Sequence, residues 1–193
     1  MKKYELTDET IDVSGTTLHR IKALKDFGNV KKGELGGYVE SERNLSQEGN
    51  CWVCGNAKVC GDAKVCGNAW VFGNAEVYGN AKVYGNAWVF GNAEVCGNAK
   101  VYGNAWVYGN AEVCGNARVY GDADYITIKG LGSKYRNTTI FRTKENIAVK
   151  CGCFYGTLAE FVDKVKETHG NSKFTKEYLA LIDLVKIHFE LEE

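Results

Sequence analysis

The 193-residue sequence has few histidines and no excess of charge of either sign. Lys+Arg and Asp+Glu each number 24, so the formal net charge is zero at pH 7. A neutral chain has no overall field that would attract long nucleic acid or an anionic membrane. The sequence also lacks an apolar run of the length that a membrane-spanning helix needs, and residues 1–5 lack the apolar core of a signal peptide. We therefore expect a cytoplasmic protein with no membrane partner.

What the sequence does contain is a repeat over residues 49–126, written as thirteen units of the form Gly-Asn-Ala-x-Val-φ, where φ is Cys, Tyr or Phe. The last unit, residues 121–126, is degenerate. Ala and Val stand two apart, so on a strand they point to the same side, and x and φ point to the other. Gly-Asn supplies a corner, because these residues tolerate positive φ. A narrow tube can be filled by Ala and Val but not by bulky or charged x residues. The repeat therefore predicts a parallel β-solenoid with Ala and Val inside.

A second period of eighteen residues lies above the first, because tryptophan recurs at every third unit. Three strands per coil give a triangular cross-section, and each face carries its own ladder of outward side chains. Face one carries Trp52, Trp70, Trp88 and Trp106 beside Cys54, Phe72, Phe90 and Tyr108. Face two carries Lys58, Glu76, Glu94 and Glu112 beside Cys60, Tyr78, Cys96 and Cys114. Face three carries Lys64, Lys82, Lys100 and Arg118 beside Cys66, Tyr84, Tyr102 and Tyr120.

The pattern predicts three units in the chain: an N-terminal β cap over 1–36, the parallel β-helix over 37–126, and a C-terminal α+β cap over 127–193. Val39 and Leu45 continue the inner column backwards from the array. A cap is needed because an open end of a β-helix presents unpaired N–H and C=O groups. We predict strands at 4–6, 16–24, 125–129, 135–143 and 147–151, and helices over 158–169 and 173–190.

The hexads resemble the hexapeptide-repeat superfamily, and this resemblance implies a left-handed parallel β-helix, against the right-handed preference of parallel crossovers in general. The chain also resembles phage and prophage proteins that combine three features: a lead-in such as DFGNV at 26–30 and GGYV at 36–39, a GNAxVY array, and a tail such as CGCFYGT at 151–157. This second resemblance implies a phage origin and a bacterial host. It brings no established activity.

The enzymes of the superfamily are mostly acyltransferases, which the resemblance implies are trimers with a catalytic histidine near the subunit interface. This chain has only His19, His169 and His188, all outside the array, so we predict that it is not an enzyme and needs no cofactor. A carbonic-anhydrase-like centre would need three histidines around a metal. The pairs Cys51-x-x-Cys54 and Cys151-x-Cys153 have the residue types of a zinc site. The first pair cannot bind one ion, because Cys51 points into the tube and Cys54 points out. We therefore predict no metal site.

Face one carries the strongest indication of an interaction surface in the sequence. Each aromatic side chain carries roughly 150–250 Å² of surface, so its seven aromatic residues would expose several hundred Å². Soluble monomers rarely leave such a patch open. We predict that a partner subunit or the C-terminal helices cover it, with a stacking platform for a planar ligand or sugar as the alternative.

Face three joins four basic side chains to three tyrosines and is the predicted ligand site. Cations interleaved with aromatic rings suit a ligand that carries both phosphate and base. Four like charges in one column also repel each other, so an acidic ligand, or the Glu ladder of a second subunit, would relieve that repulsion. The alternative is a solvated face on which the lysine stems lie along the surface.

Our leading hypothesis is a non-catalytic, homo-oligomeric binding protein, a dimer or trimer, that sequesters a host factor. The preferred ligand is a nucleotide signal of bacterial antiviral defence, on the grounds of the phage resemblance and the Lys/Tyr ladder of face three. A protein-binding or structural scaffold, in which every ladder is an oligomer or partner contact, is the alternative. An acyltransferase-like enzyme is a third class, disfavoured because the repeat has no histidine.

Overall fold

The computed structural model describes residues 2–191, so Met1, Glu192 and Glu193, at the ends of the predicted caps, lie outside the described residues. Twelve two-residue strands, each made of x and Val, build three parallel sheets. Face one contains β4 (Trp52–Val53), β7 (Trp70–Val71), β10 (Trp88–Val89) and β13 (Trp106–Val107). Face two contains β5 (Lys58–Val59), β8 (Glu76–Val77), β11 (Glu94–Val95) and β14 (Glu112–Val113). Face three contains β6 (Lys64–Val65), β9 (Lys82–Val83), β12 (Lys100–Val101) and β15 (Arg118–Val119).

The eighteen-residue period sets the pairing in all three sheets, as predicted. Trp70 pairs with Trp88, Glu76 with Glu94, and Lys82 with Lys100, each one coil apart and in register. Every Ala and Val of the array is fully buried between Val53 and Val119. The predicted parallel β-solenoid with an Ala/Val core is confirmed.

The solenoid begins before the regular repeat. Strand β3 (Leu35–Val39) pairs in parallel with β5, and Leu45 forms a parallel bridge to Val65. Val39 and Leu45 are fully buried, as the backward extension of the inner column predicts. These residues add a further coil, so the solenoid has about five coils.

A β-hairpin precedes the solenoid and extends the sheet of face two. Its strands β1 (Tyr4–Val13) and β2 (Thr16–Ala23) pair antiparallel, and β2 pairs antiparallel with β3. Ser14 and Gly15 form the turn at positive φ. The predicted first strand at 4–6 was too short, because polar residues with little intrinsic strand preference are recruited by pairing with β2 across a β-bulge between Leu6 and Thr10.

Side chains that donate hydrogen bonds close the N-terminal edge of the solenoid. The carbonyl groups of the first coil need such donors, because no preceding coil offers them backbone amides. The Tyr4 hydroxyl donates to the carbonyl of Leu45 at 2.7 Å, and Lys3 Nζ donates to the carbonyl of Cys51 at 3.0 Å. Lys3 is only 1% exposed, and this burial lowers the pKa of its ammonium group. A buried cation is tolerated here because it satisfies carbonyls that would otherwise be unpaired.

The C-terminal unit is a four-stranded antiparallel sheet followed by two helices. Its elements are β16 (Tyr125–Leu131), β17 (Arg136–Arg142), β18 (Ile147–Cys151), β19 (Phe154–Thr157), α1 (Leu158–His169) and α2 (Lys173–His188). A capping box starts α1, since Thr157 Oγ1 accepts from the amide of Glu160 and the Glu160 carboxylate accepts from the amide of Thr157. The predictions missed β19, because its short sequence becomes a strand only through its pairing with β18. No helix within residues 2–191 is long and apolar enough to cross a membrane.

This sheet is a layer between the solenoid and the helices. One side places Phe141 and Ala148 in the core of the solenoid, and the other side packs Ile140 and Val149 against the apolar stripes of α1 and α2. Acceptor side chains also close the last coil, whose amides have no following coil. Asp122 Oδ1 accepts from the amide of Trp106 at 2.8 Å, and Thr139 Oγ1 accepts from that of Glu112 at 3.0 Å.

Candidate functional site

Face three brings together its predicted residues as two adjacent columns. Lys64, Lys82, Lys100 and Arg118 are neighbours on successive coils. Beside them the rings of Tyr84 and Tyr102 stack with centroids 5.1 Å apart, and Tyr120 meets Tyr102 edge-on at 5.2 Å. Burial raises the pKa of Tyr84, and the neighbouring Arg118 opposes this shift. The basic and aromatic ladders therefore run side by side.

The last two coils of this face differ from the earlier ones, because the β17–β18 loop of the C-terminal unit lies beside them. A cavity of about 590 Å³ opens on the corner side of the loop and contains Lys100 and Arg118. A second cavity of about 630 Å³ opens on the tyrosine side and contains Tyr102 and Tyr120. Both cavities share Arg118, Thr143 and Lys144. We call the two together the face-three cleft.

Hydrogen bonds hold the loop that forms this cleft in one conformation. The Thr143 amide donates to the Asn146 carbonyl at 2.7 Å, and Thr143 Oγ1 accepts from the amide of Asn146 at 3.0 Å. Thr143 also forms an antiparallel bridge to Ala117 in the last coil. Nearby, the Tyr155 hydroxyl accepts from the Asn116 amide at 3.3 Å. The loop is thus anchored to the solenoid and placed before any ligand arrives.

Two of the carboxylates in the cleft are already engaged. Asp124 pairs with Arg142, Nε to Oδ1 at 3.1 Å, and its other oxygen accepts from the amide of Tyr120 at 2.8 Å. Glu160 accepts from the Thr157 amide at 2.7 Å, and hydrogen bonds from Thr157 lower the pKa of this carboxyl.

Apart from Arg142, the basic side chains of the cleft lack comparable partners. Within residues 2–191, Lys100, Arg118 and Lys144 form no salt bridge, and Glu145 is the remaining carboxylate of the lining. The cleft therefore carries unpaired positive charge beside aromatic rings.

Four of the seven predicted ligand residues line the cleft, and three do not. Lys64 and Lys82 lie on the same face, exposed and outside both cavities, and Tyr84 reaches the site only through its stack on Tyr102. The prediction missed the contributions of Arg142, Thr143, Lys144 and Tyr155. They belong to the C-terminal sheet, and no periodic signal in the sequence links them to face three.

Face one also differs from the prediction at its first rung. Trp52 is fully buried by its own chain: Phe27 meets its ring edge-on at 5.3 Å and Tyr4 does so at 6.2 Å. It therefore cannot belong to an exposed interface. Of the two covers predicted for this face, the C-terminal helices do not lie on it, since they pack on the far side of their own sheet while Trp88 and Trp106 stay 38% and 45% exposed. Cover by a partner subunit stays a prediction.

The rest of face one is an ordered aromatic surface. Trp88 stacks on Trp106 at 5.2 Å, and Phe90 stacks on Phe72 at 4.9 Å and on Tyr108 at 5.3 Å. The rings are nearly parallel within each column, because residues one coil apart are in register. We call Trp70, Trp88, Trp106, Phe72, Phe90 and Tyr108 the aromatic face.

Two of the three glutamates of face two are paired with lysines, and the face carries a pair of thiols. Lys58 Nζ lies 2.8 Å from Glu76, and Lys150 Nζ lies 3.5 Å from Glu112. A hydrogen bond from Cys114, opposed by burial, lowers the pKa of Cys96 to about 7, and the pKa of Cys114 rises because it shares that bond. All eight cysteines are free thiols.

The three histidines take local positions outside the face-three cleft. His19 Nδ1 lies 3.2 Å from the Thr7 carbonyl, and His188 Nε2 lies 2.9 Å from the Ala123 carbonyl. His169 ends α1, as predicted, and stacks on Tyr178 at 6.1 Å. Within residues 2–191, no group of three or more His, Cys, Asp or Glu side chains is placed to hold a metal ion.

No family model matches the chain. Among curated protein sequences, a segment of 61 residues is 39% identical to a protein described as "Uncharacterized acetyltransferase YdcK" from Escherichia coli strain K12. This match covers 28% of the present chain and 19% of that protein, so the chain spans about a fifth of the length of its relative. The match leaves the activity of the present chain open. Together with the six-residue repeat and the parallel β-solenoid, it fits a protein of the hexapeptide-repeat β-helix superfamily.

Proposed function

We propose that the protein is a non-catalytic binding protein that holds a nucleotide in the face-three cleft. The observation that carries this proposal is the convergence of Lys100, Arg118 and Lys144, none with a salt-bridge partner in residues 2–191, beside the rings of Tyr102 and Tyr120. Cavities of about 300–1,000 Å³ are the usual size for small-molecule sites. Each of the two cavities of the cleft is in this range, and both are formed by the rigid solenoid and the anchored loop.

Each part of the cleft suits one part of a nucleotide. The guanidinium of Arg118 can donate two parallel hydrogen bonds to a phosphate, and the ammonium groups of Lys100 and Lys144 add point charges. Tyr120 is 62% exposed, so a base can lie against its ring. The excess of cations disfavours a neutral nucleoside, which gains nothing from them.

We further propose that the protein is phage-encoded and sequesters a nucleotide signal of bacterial antiviral defence in the cytoplasm of its host. The resemblance of its lead-in and tail to phage proteins supports this origin, and the preformed cleft suits a protein that binds without turnover. No histidine lies in the cleft, which disfavours an acyltransferase of the superfamily type. Acetyl-CoA therefore belongs among the ligands tested, with release of free CoA as the measure of transfer.

The experiment is isothermal titration of the purified protein with ATP, a cyclic dinucleotide, acetyl-CoA and adenosine. We expect at least one phosphorylated ligand to bind and adenosine to bind far more weakly. Arg118→Glu and Lys100→Glu should each weaken binding by about tenfold or more, because a charged hydrogen bond contributes roughly 1.5–3 kcal/mol. The matched control is Lys64→Glu, which changes an exposed lysine on the same face outside the cleft.

Two outcomes would contradict this proposal. One is the absence of binding for all the phosphorylated ligands. The other is an equal loss of affinity in Lys64→Glu, which would indicate general attraction by the face instead of a site in the cleft. If the wild-type chain releases free CoA from acetyl-CoA and Lys100→Glu does not, the protein is an enzyme that uses the cleft.

The exposure of the aromatic face favours a second, compatible function: association with another copy of the chain. Trp88, Trp106 and Tyr108 are 38%, 45% and 50% exposed, and aromatic residues are enriched in interfaces. The aromatic faces of two copies are flat and have the same spacing between rings, so they can pack against each other across a two-fold axis. We expect the wild-type chain to be a dimer or larger oligomer in sedimentation velocity.

The test of this association is Trp88→Asp, which places a charge in the centre of the aromatic face and should shift the protein to monomer. Tyr135→Asp is the control, since Tyr135 is 63% exposed in the C-terminal unit and does not belong to the aromatic face. A mass that is unchanged in Trp88→Asp would mean that subunits, if they associate, use another surface. A host protein captured by the wild-type chain but not by Trp88→Asp would favour the scaffold alternative.

A further inference from the structure

A separate cavity of about 300 Å³ lies within the C-terminal unit, between the β18–β19 turn and helix α1. It shares no lining residue with the face-three cleft. Its walls come from β17, the loop before it, the β18–β19 turn and both helices.

The inner wall of this cavity is aromatic and rigid. Phe161 contacts Phe154 with ring centroids 5.3 Å apart and meets Tyr178 edge-on at 5.2 Å. His169 stacks on the Tyr178 ring with centroids 6.1 Å apart. Phe161 and Tyr178 are 3% and 5% exposed, so they are held in place by the core of the C-terminal unit. They form the floor of the cavity, and the half-buried Phe154 offers a ligand more of its ring.

The CGCF part of the tail, which has no role in the face-three cleft, forms the turn at the mouth. Gly152 has φ +57°, and a Cβ atom there would collide with the guanidinium of Arg136, so glycine lets this cation lie over the turn. Cys151 points inward and accepts a hydrogen bond from Thr138 Oγ1 at 3.2 Å. Cys153 is exposed at the rim. The motif therefore positions a cation and a thiol at the entrance.

The charged side chains that line the cavity are all basic. They are Lys134, Arg136 and Lys164, and the lining contains no Asp or Glu. Lys164 is paired with Glu167 at 2.9 Å, whereas Lys134 and Arg136 form no salt bridge within residues 2–191. A site with cations at its rim and aromatic rings inside selects a ligand of matching polarity.

We propose that this cavity binds a small molecule with one anionic group on a flat apolar body, of the class of aromatic carboxylates and aryl phosphates. The ring of the ligand lies against Phe154, Phe161 and Tyr178, and its anionic group meets Arg136 and Lys134 at the rim. The site is independent of the nucleotide-binding function proposed above. Because the two sites share no residue, either can fail without affecting the other.

The experiment is ¹⁹F NMR titration of the full chain with 4-fluorobenzoate and 4-fluorophenyl phosphate, with neutral 4-fluorobenzamide as the reference ligand. We expect at least one anionic probe to bind and the amide to bind at least about tenfold more weakly. Arg136→Gln should weaken binding of the anionic probe by about tenfold, and Lys134→Gln should weaken it in the same direction. Lys129→Gln is the matched control, since Lys129 is exposed on β16 outside the cavity.

Two further measurements separate a cavity from general charge attraction. Thr168→Trp fills the mouth without changing the charge, so it should abolish binding, and its thermal midpoint should show that it folds. Bound probe should also slow alkylation of Cys153, followed by mass spectrometry of its peptide. Four results would each overturn the proposal. Two concern specificity: the amide binds as tightly as the anionic probes, or Lys129→Gln loses as much affinity as Arg136→Gln. The other two are full binding by a folded Thr168→Trp variant and no binding of either anion at millimolar concentration. Loss of binding in Arg118→Glu would overturn its independence from the nucleotide site.

Discussion

At the scale of single residues, the corners of the solenoid depend on glycine for two separable reasons. Gly85 has φ +73°, and a Cβ atom there would lie 3.0 Å from the backbone N and O of Gly103 on the next coil. Gly109 has a similar φ of +69°, but a Cβ would meet nothing within 4 Å. Gly121 has φ −145° and equally open surroundings. Conformation and close approach can therefore be tested apart.

We predict that the free energy of unfolding falls most in Gly85→Ala, less in Gly109→Ala and least in Gly121→Ala. The left-handed conformation costs an L-residue roughly 1–2 kcal/mol, so Gly109→Ala should lose about that much. Gly85→Ala should lose more, because its new Cβ also presses on the neighbouring coil. Gly121→Ala should lose nothing measurable. Thermal and urea unfolding provide the measurement, and equal losses at Gly85 and Gly109 would contradict the role of close coil packing.

The corner asparagines add a second contribution at the residue scale. Asn68 donates to Asn86, and Asn86 donates to Asn104, each at 3.1 Å. The same bonds join Asn56, Asn74, Asn92 and Asn110 along another corner. Side-chain amides one coil apart thus pair with each other instead of competing with the backbone, as in the stacked amide ladders of other cross-β assemblies.

At the scale of elements, the ladder of face one changes its role along its length. The N-terminal hairpin and the following segment cover Trp52, whose exposure is 0%, whereas Trp106 at the other end is 45% exposed. The two residues have the same position in the repeat and the same strand environment. Their difference comes from what packs on them.

We predict that Trp52→Ala costs roughly 3–5 kcal/mol, the usual loss for truncating a buried aromatic residue. Trp106→Ala should cost about 1 kcal/mol, because it loses mainly the stack on Trp88. Urea unfolding of the two variants beside the wild-type chain measures the difference. The pair is internally controlled, since both variants remove the same side chain from the same ladder. Similar losses would mean that Trp106 is also covered in solution, by a second copy of the chain.

At the scale of the whole molecule, the two ends of the solenoid have opposite polarity. Each coil donates its amides to the coil that follows, as in the bond from the Trp70 amide to the Ala87 carbonyl at 3.0 Å. The first coil therefore has free carbonyls and the last has free amides. Donors from Lys3 and Tyr4 close the first end, and acceptors from Asp122 and Thr139 close the last. The caps are matched to the direction of the hydrogen bonds.

Because one coil is three hexads, we predict that deletion of residues 73–90 leaves a folded protein. The deletion joins Trp70 to Trp106 and Lys58 to Glu94 on adjacent coils, so every ladder keeps its type. It leaves both caps and the lining of the face-three cleft unchanged. The thermal midpoint should fall only slightly, and nucleotide affinity, once measured, should be unaffected.

The matched control is deletion of the single hexad 73–78, which removes fewer residues but rotates the coils that follow by one face. Lys58 then lies beside Lys82, and Trp70 beside Glu94. Each mismatched pair forfeits up to roughly 1 kcal/mol, and like charges directly opposite are unfavourable. This shorter deletion should therefore lower the thermal midpoint more than the longer one. Equal midpoints would show that outward ladders contribute little to stability.

Much of this architecture is determined by the sequence alone, because the information is periodic and local. Recurrence of Trp every eighteen residues places Trp70 and Trp88 on one face, and the spacing of Ala and Val decides which side is inside. The capping box of Thr157 and Glu160 marks the start of α1 through contacts three residues apart. In each case the physical cause acts within one repeat or one helical turn.

Only the tertiary structure decides what covers each ladder and where a cleft forms. The hexads of Trp52 and Trp106 differ at only two positions, and neither difference indicates what will cover the indole ring. Tyr4 and Phe27 nevertheless bury Trp52, whereas Trp106 stays open. Likewise, Lys144 comes to lie beside Lys100 because the C-terminal sheet docks on the last coil. The physical reason is that packing between distant segments depends on their shapes and directions in space, which no repeat period or local propensity encodes.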